Sequence, residues 1–191
     1  ATALHRAQLL GGKRCEVFDT AVLQLAQAEL RLEADLDGAL ERGEFVLFYQ
    51  PIVSLASNQI VGFEALVRWQ HPVLGMILPL EFVPITEKTG LIVPLGNWVL
   101  REACRQLKEW QGSTPLAEQL WVSVNLSGVQ LKHPRLVEEI GDALHDYALE
   151  PRCLLLELTE SMAMENPAAA QTLLMQIRAL GVRVSVDDFG T

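Results

Sequence analysis

Side-chain oxygens follow four short apolar runs of the sequence, and oxygens are the ligands that a hard metal ion prefers. These runs end at Glu64, at Asn125, at Glu157 and at the adjacent pair Asp187-Asp188. Mg2+ and Mn2+ bind carboxylate, amide and water oxygens, whereas zinc more often takes His or Cys. The intervals from Asn125 to Glu157 and from Glu157 to Asp187 are 32 and 30 residues, about the length of one strand-helix-strand unit. Parallel strands would therefore bring these oxygens to one edge of a sheet.

The elements that must position these residues can be read from hydrophobic periodicity and turn residues. A strand from Phe45 to Tyr49, stopped by Pro51, and a second strand that ends at Glu64 predict a hairpin. Later strands are expected to end at Asn125, Glu157 and Asp187. The predicted helices run from Pro79 to Thr89, from Asn97 to Trp110, from Pro134 to Tyr147 and from Pro167 to Leu180, with Gly90 and Gly181 after two of them.

This order of strands and helices favours an α/β fold with a parallel sheet. Polar residues collected at the C-terminal ends of the strands favour a (β/α)8 barrel of the TIM type. An open, doubly wound sheet has the same order of elements and stays an alternative. Because no G-x-G-x-x-G or Walker-type loop follows a strand, binding of dinucleotides or nucleoside triphosphates by those loops has little support.

Composition limits the function further. The chain has 191 residues, half of them apolar, and a formal net charge of −9, which argues against a generic surface for nucleic-acid polymers or anionic membranes. Three cysteines, Cys15, Cys104 and Cys153, show no paired spacing and are expected to be inert packing residues in a reducing compartment. No apolar run is long enough to span a membrane. We therefore expect a cytoplasmic location, with any membrane anchor in upstream regions.

Three segments can be distinguished along the chain. Residues 1–19 have the pattern of the end of another unit, with a short helix, a Gly11-Gly12 stop and a strand from Arg14 to Phe18. Residues 20–43 are rich in Ala, Leu, Glu and Arg, which predicts a linker helix from Thr20 to about Arg42. A coiled-coil dimer through this helix is a weaker alternative. The main domain is expected to occupy residues 44–191.

Five ordered motifs of the main domain resemble those of EAL domains, which are phosphodiesterases of the bacterial second messenger cyclic di-GMP. The motifs are Glu64-Ala65-Leu66 within a run that continues to Arg68-Trp69, Tyr49-Gln50-Pro51, Asn125-Leu126-Ser127, Glu157-Leu158-Thr159-Glu160 and Asp187-Asp188-Phe189-Gly190-Thr191. The resemblance implies a (β/α)8 barrel of the EAL kind. Residues 1–19 also resemble the end of a GGDEF domain, the diguanylate cyclase module that often precedes an EAL domain.

The resemblance also implies a role for each matching residue. Glu64, Asn125, Glu157, Asp187 and Asp188 would hold two Mg2+ or Mn2+ ions, with Asp187 shared between them, and Glu64, Asp187 and Asp188 would form the catalytic set. Gln50, Leu66 and Arg68 would bind the ligand, Arg68 through a phosphate. Glu160 would stabilise the loop above the metals. Two divalent ions roughly 3.5 to 4 Å apart supply an activated water and positive charge for phosphodiester hydrolysis.

Simpler explanations exist for each position taken alone. A carboxylate at a strand end often caps the next helix, and an arginine often forms a surface ion pair. Five oxygen ligands at strand ends together favour a metal site. The main domain has 148 residues, whereas a full (β/α)8 barrel takes about 250. We therefore expect about the first five strands of the barrel. The favoured explanation is that the chain is the ordered part of a longer protein, and a truncated product is the alternative.

Three functions are compatible with these residues. The preferred one is hydrolysis of cyclic di-GMP to linear pGpG by a metal-activated water. The second is a receptor that binds cyclic di-GMP without cutting it. The third is a regulatory scaffold coupled to a GGDEF module through the linker helix. A homodimer is expected, and the missing part of the barrel could leave this chain inactive by itself.

Overall fold

A computed structural model describes residues 20–113, 117–159 and 167–187 of the chain. Its side chains are described from residue 27 onward, except at Thr159, at residues 167–169 and at Asp187, which are described by their backbone alone. Residues 1–19 with Cys15, and the predicted site residues Glu160 and Asp188, lie outside this description. Within the described ranges, every helix is too short or too polar to cross a lipid bilayer.

The main domain begins with the predicted hairpin. Strand β1 (Phe45–Val53) pairs antiparallel with β2 (Ile60–His71), and a short third strand, β3 (Gly75–Ile77), pairs with the far end of β2. Two expectations were wrong here. Pro51 lies within β1 because β1 is an outer strand of the described sheet, where a missing N–H is tolerated. Glu64 lies in the middle of β2 because pairing with β1 and β3 extends that strand to His71.

The second part of the sheet is parallel, as predicted. Strands β4 (Trp121–Asn125), β5 (Leu154–Thr159) and β6 (Arg183–Asp187) follow β2 in the order β1-β2-β4-β5-β6. Their pairings β2·β4, β4·β5 and β5·β6 are all parallel. The described residues thus form a six-stranded mixed sheet, with an antiparallel lobe at one side and a parallel run toward β6.

Five α-helices accompany the sheet within the described ranges. They are α1 (Thr20–Leu36), α2 (Pro79–Thr89), α3 (Ile92–Ser113), α4 (Leu136–Asp146) and α5 (Pro167–Ala179), with short 3-10 helices at Gln130–Lys132 and Pro151–Cys153. Gly90 follows α2 with a φ of 80°, and Gly181 follows α5 with a φ of 90°, so both predicted C-terminal glycines are confirmed.

Two helices differ from their predicted bounds by more than two residues. The linker helix α1 ends at Leu36 rather than near Arg42 because the chain turns at Gly38, whose φ is 73°. Arg42 fills the turn by donating to the backbone oxygens of Asp35 and Asp37 at 2.7 and 2.8 Å. Helix α3 begins at Ile92, earlier than predicted, because Pro94 fits within a first turn that needs no N–H from that residue.

The core lies between the helices and one face of the sheet. Alternate residues of the central strands, including Val122, Val124, Leu154 and Leu156, are at most 1% exposed. Cys104 and Cys153 are free and buried, and burial raises the pKa of Cys104 to about 12. These two cysteines are therefore packing residues, as expected. The other face of each strand carries the polar residues described next.

Candidate functional site

The predicted ligand-binding residues of the hairpin share one face. Side chains alternate between the two faces of a strand, so Glu64, Leu66 and Arg68 of β2 lie on the same face. Gln50 of β1 is the register partner of Glu64, which places it on that face as well. We call this surface the polar face of the sheet. The four residues come together because the register of the hairpin aligns them.

Glu64 and Asn125 are in direct contact across the parallel pair β2·β4. The Asn125 Nδ2 donates to Glu64 Oε1 at 2.9 Å. Glu64 is the register partner of Ser123, two residues before Asn125, so the Asn125 amide reaches back along its own face. Asn125 is exposed and Glu64 is half-buried. Glu64 and Asn125 are therefore in contact, although these two predicted metal ligands are 61 residues apart in sequence.

Register places the next two predicted ligands on the same face. Glu157 of β5 is the partner of Asn125, and neighbouring strands lie about 4.8 Å apart. Ser185 of β6 is the partner of Glu157. Asp187, two residues further along β6, occupies a register position on this face too. The polar face thus carries Glu64, Asn125, Glu157 and the backbone position of Asp187 on three successive parallel pairings.

Arg68 lies beside these residues with one guanidinium contact to the backbone. Its Nη1 donates to the Val67 oxygen at 2.8 Å, and its guanidinium carbon lies 5.8 Å from the centre of the Phe48 ring. Phe48 is 51% exposed, so the arginine rests on an aromatic side chain that is itself open to solvent. This geometry holds the guanidinium at the polar face while most of its donors stay available.

An apolar cavity of about 430 Å3 adjoins the predicted ligands. Its wall combines Leu66 of β2 with residues of α2 and α3, and Asn125 and Glu157 also line it. The cavity therefore places apolar surface next to side-chain oxygens, an arrangement that suits a ligand with both a flat apolar part and a charged part.

The loop after β4 contains two buried polar residues to which the sequence reading assigned no role. Gln130 and Ser127 are 5% and 7% exposed. The Gln130 Oε1 accepts from the Ser127 N–H at 3.0 Å, and the Ser127 Oγ accepts from the Val129 and Gln130 N–H groups at 3.2 and 3.5 Å. This is a capping box, and the pattern Ser-x-x-Gln was its available sequence signal.

The described side chains supply part of the predicted ligand set. Among them, no three acidic, histidine or cysteine residues come together as a metal cluster. Glu64 and Glu157 lie on either side of Asn125, while the Asp187 side chain and Asp188 lie outside the description. The donors that are present are all oxygens, which fits Mg2+ or Mn2+ better than zinc. The full set of five ligands stays a prediction.

Comparison with known proteins identifies the family. Residues 33–191 match the EAL domain family. The chain is 44% identical over 190 residues to the bifunctional diguanylate cyclase/cyclic di-GMP phosphodiesterase MucR of Pseudomonas aeruginosa and 40% identical over 191 residues to the cyclic di-GMP phosphodiesterase NbdA of the same organism. Both matches include 99% of this chain, but only 27% of MucR and 24% of NbdA. The chain therefore spans about a quarter of the length of each relative.

A solved structure agrees with these matches. The MucR phosphodiesterase in complex with cyclic di-GMP superposes with a TM-score of 0.79 and 48% sequence identity, over 84% of this chain and 64% of that one. The mixed sheet with its parallel strands is thus part of a TIM-like barrel, and the predicted fold class is confirmed. The five ordered motifs, the shared polar face and these matches lead to one conclusion: the chain belongs to the EAL domain family.

Proposed function

We propose that this chain is the part of a cyclic di-GMP phosphodiesterase that carries Glu64, Asn125 and Glu157, and that the protein hydrolyses cyclic di-GMP to linear pGpG. The observation that carries the proposal is the contact between Asn125 and Glu64 at 2.9 Å, with Glu157 in register beside Asn125. The names of the relatives MucR and NbdA support the same substrate and reaction.

The proposed roles of the metal ligands follow from the donor types. Glu64, Asn125, Glu157, Asp187 and Asp188 would hold two Mg2+ or Mn2+ ions. Such ions make a water nucleophilic at neutral pH and offset negative charge on phosphoryl oxygens. Asn125 would also keep the Glu64 side chain oriented, since its amide donates to that carboxylate. An amide carries both a donor and an acceptor, so donation to Glu64 leaves the Asn125 oxygen available.

The ligand would lie along the polar face. Arg68 would bind a phosphate through its remaining donors, Gln50 would contact the ligand from β1, and Leu66 would lie against a guanine in the apolar cavity. Glu160 would stabilise the loop that follows β5. In the whole protein we propose an upstream GGDEF unit as a partner, because MucR bears the name of a bifunctional cyclase and phosphodiesterase. A homodimer stays a prediction from the sequence.

Turnover by the full-length protein tests the proposal. Cyclic di-GMP is incubated with Mg2+ or Mn2+, and linear pGpG is measured by chromatography, for the wild type and for Glu64→Gln. The substitution keeps an acceptor for Asn125 but removes the charge that holds a metal ion. Since bound metal supplies several kcal/mol of transition-state stabilisation, we expect kcat to fall about a hundredfold or more.

The control and the alternatives are distinguished by the same assay. Glu138→Gln changes a 61% exposed carboxylate on α4 that pairs with Arg135, and it should leave turnover unchanged. Binding of cyclic di-GMP without cleavage by the wild type would support the receptor alternative instead. Neither binding nor cleavage would support the scaffold alternative, and full activity of Glu64→Gln would refute the metal role of Glu64.

A further inference from the structure

The loop between β4 and the short 3-10 helix links the predicted ligands to the protein interior. Asn125 is the last residue of β4, and the next residue, Leu126, donates its N–H to the Glu157 oxygen at 2.9 Å. Ser127 then enters the capping box, where Gln130 accepts its N–H at 3.0 Å. A single run of three residues therefore connects one predicted ligand, the backbone of a second ligand and the buried Gln130 side chain.

Helix α3 holds the Gln130 side chain from the other side. A Cβ placed on Gly96 would lie 1.9 Å from Gln130 Nε2 and 2.6 Å from Gln130 Cδ, a distance that no real side chain can occupy. Gly96 is therefore the position that lets α3 approach the Gln130 amide. The neighbouring residues Leu95 and Val99 are 3% and 7% exposed, so this part of α3 is anchored in the core.

From these contacts we infer that Gln130, seated on Gly96, is a positioning residue for the metal-binding end of β4. The inference rests on the proposed function, because it assigns Gln130 a role toward the ions that Asn125 and Glu157 would hold. Gln130 acts through the Ser127 N–H and touches neither substrate nor metal. Residues that orient metal ligands in this way typically change metal affinity or activity by about 10- to 100-fold when they are replaced.

The test compares two glutamines whose side chains contact the backbone near opposite ends of β4. Gln130→Met keeps the size of the side chain and removes the acceptor for Ser127. Gln111→Met is the matched control, because the Gln111 Nε2 donates to the Leu120 oxygen at 3.0 Å just before β4 begins. Both variants lose one hydrogen bond between the glutamine and the backbone, and Gln111→Met also loses the contact of Nε2 with Cys153 Sγ at 3.5 Å. A general loss of stability would therefore appear in both, whereas an effect on metal binding should appear in Gln130→Met alone.

Two measurements on the full-length protein read out the inference without turnover. The dissociation constant for Mn2+, measured by calorimetry, should rise about tenfold in Gln130→Met and stay within about twofold in Gln111→Met. Hydrogen exchange of the Ser127 amide should become faster in Gln130→Met only. Equal changes in Mn2+ affinity in the two variants, or no change in Gln130→Met, would overturn the inference.

A second substitution approaches the same contact from the helix. Gly96→Ala should displace the Gln130 amide and weaken Mn2+ binding to a similar extent. Because both changes act through one contact, their effects in the double variant should be less than additive, and full additivity would count against the pairing. If the wild type binds Mn2+ but does not cleave cyclic di-GMP, only the proposed function fails. If the wild type binds no Mn2+, both the proposed function and the positioning role of Gln130 fail.

Discussion

At the scale of residues, contacts with neighbouring residues fix the position of the Arg68 guanidinium, the group proposed to bind a phosphate. Its guanidinium rests over Phe48, and one nitrogen is held by the Val67 oxygen. The planar group keeps a fork of donors that matches two phosphate oxygens at once, which a lysine ammonium cannot do. Specific contact with the ligand should therefore depend on the guanidinium and not on positive charge alone.

We predict that Arg68→Lys weakens cyclic di-GMP binding about tenfold. The measurement is the dissociation constant by calorimetry in EDTA, where the proposed metal-dependent cleavage cannot proceed. Arg135→Lys is the control, because Arg135 is an exposed arginine that pairs with Glu138 on α4 and should leave binding unchanged. Equal affinity of Arg68→Lys and the wild type would mean that the fork of donors is not used.

At the scale of elements, the position of β4 against β2 depends on one glycine. A Cβ on Gly62 would lie 2.6 Å from the Trp121 ring and 2.7 Å from the Trp121 oxygen. Because one of these atoms belongs to the backbone, the conflict cannot be relieved by a side-chain rotation alone. Gly62 thus allows the two strands to pair in the register that brings Glu64 next to Asn125.

We predict that Gly62→Ala lowers the free energy of unfolding by about 1 to 3 kcal/mol, the usual cost of inserting atoms into a well-packed region. Urea unfolding monitored by circular dichroism measures the change. Gly141→Ala on α4 is the control, since nothing lies within 4 Å of the added Cβ. That control should be neutral or up to about 1 kcal/mol more stable. A Gly62→Ala protein as stable as the wild type would show that the strands can separate without cost.

At the scale of the whole molecule, α1 is attached to the hairpin through buried and exposed polar contacts. The His71 Nδ1 accepts from the Val73 and Leu74 N–H groups at 3.2 and 3.0 Å, so the proton lies on Nε2, which faces Asp35 Oδ2 at 3.3 Å. Lys88 of α2 also pairs with Glu29 of α1. A movement of α1 would therefore reach the end of β2, three residues from Arg68.

We predict that Asp35→Ala loosens α1 and leaves the sheet intact. The substitution removes the acceptor of the His71 N–H, which should lower the stability of the α1 attachment by about 1 kcal/mol. Hydrogen exchange of the α1 amides should then be about fivefold faster. Asp37→Ala is the control, because Arg42 uses only the backbone oxygen of Asp37. Unchanged exchange in α1, or faster exchange in β4 and β5 as well, would contradict this local attachment.

The amino-acid sequence by itself indicated the main strands and helices and the chemistry that we propose for the site. Helix α2 ends where Gly90 provides a left-handed residue, and Glu64, Asn125 and Glu157 could be chosen as oxygen ligands from their place after apolar runs. These features depend on neighbours in sequence, so local rules suffice. The ordered motifs added the family, which the comparisons confirmed.

Only the tertiary structure decided how these elements meet. Pairing with β1 and β3 carried β2 past Glu64 to His71, and an outer position in the described sheet let β1 continue through Pro51. The contact of Asn125 with Glu64 and the seat of Gln130 on Gly96 join residues far apart in sequence. Such contacts depend on strand register and on the approach of a helix, and neither is encoded in a short stretch of residues.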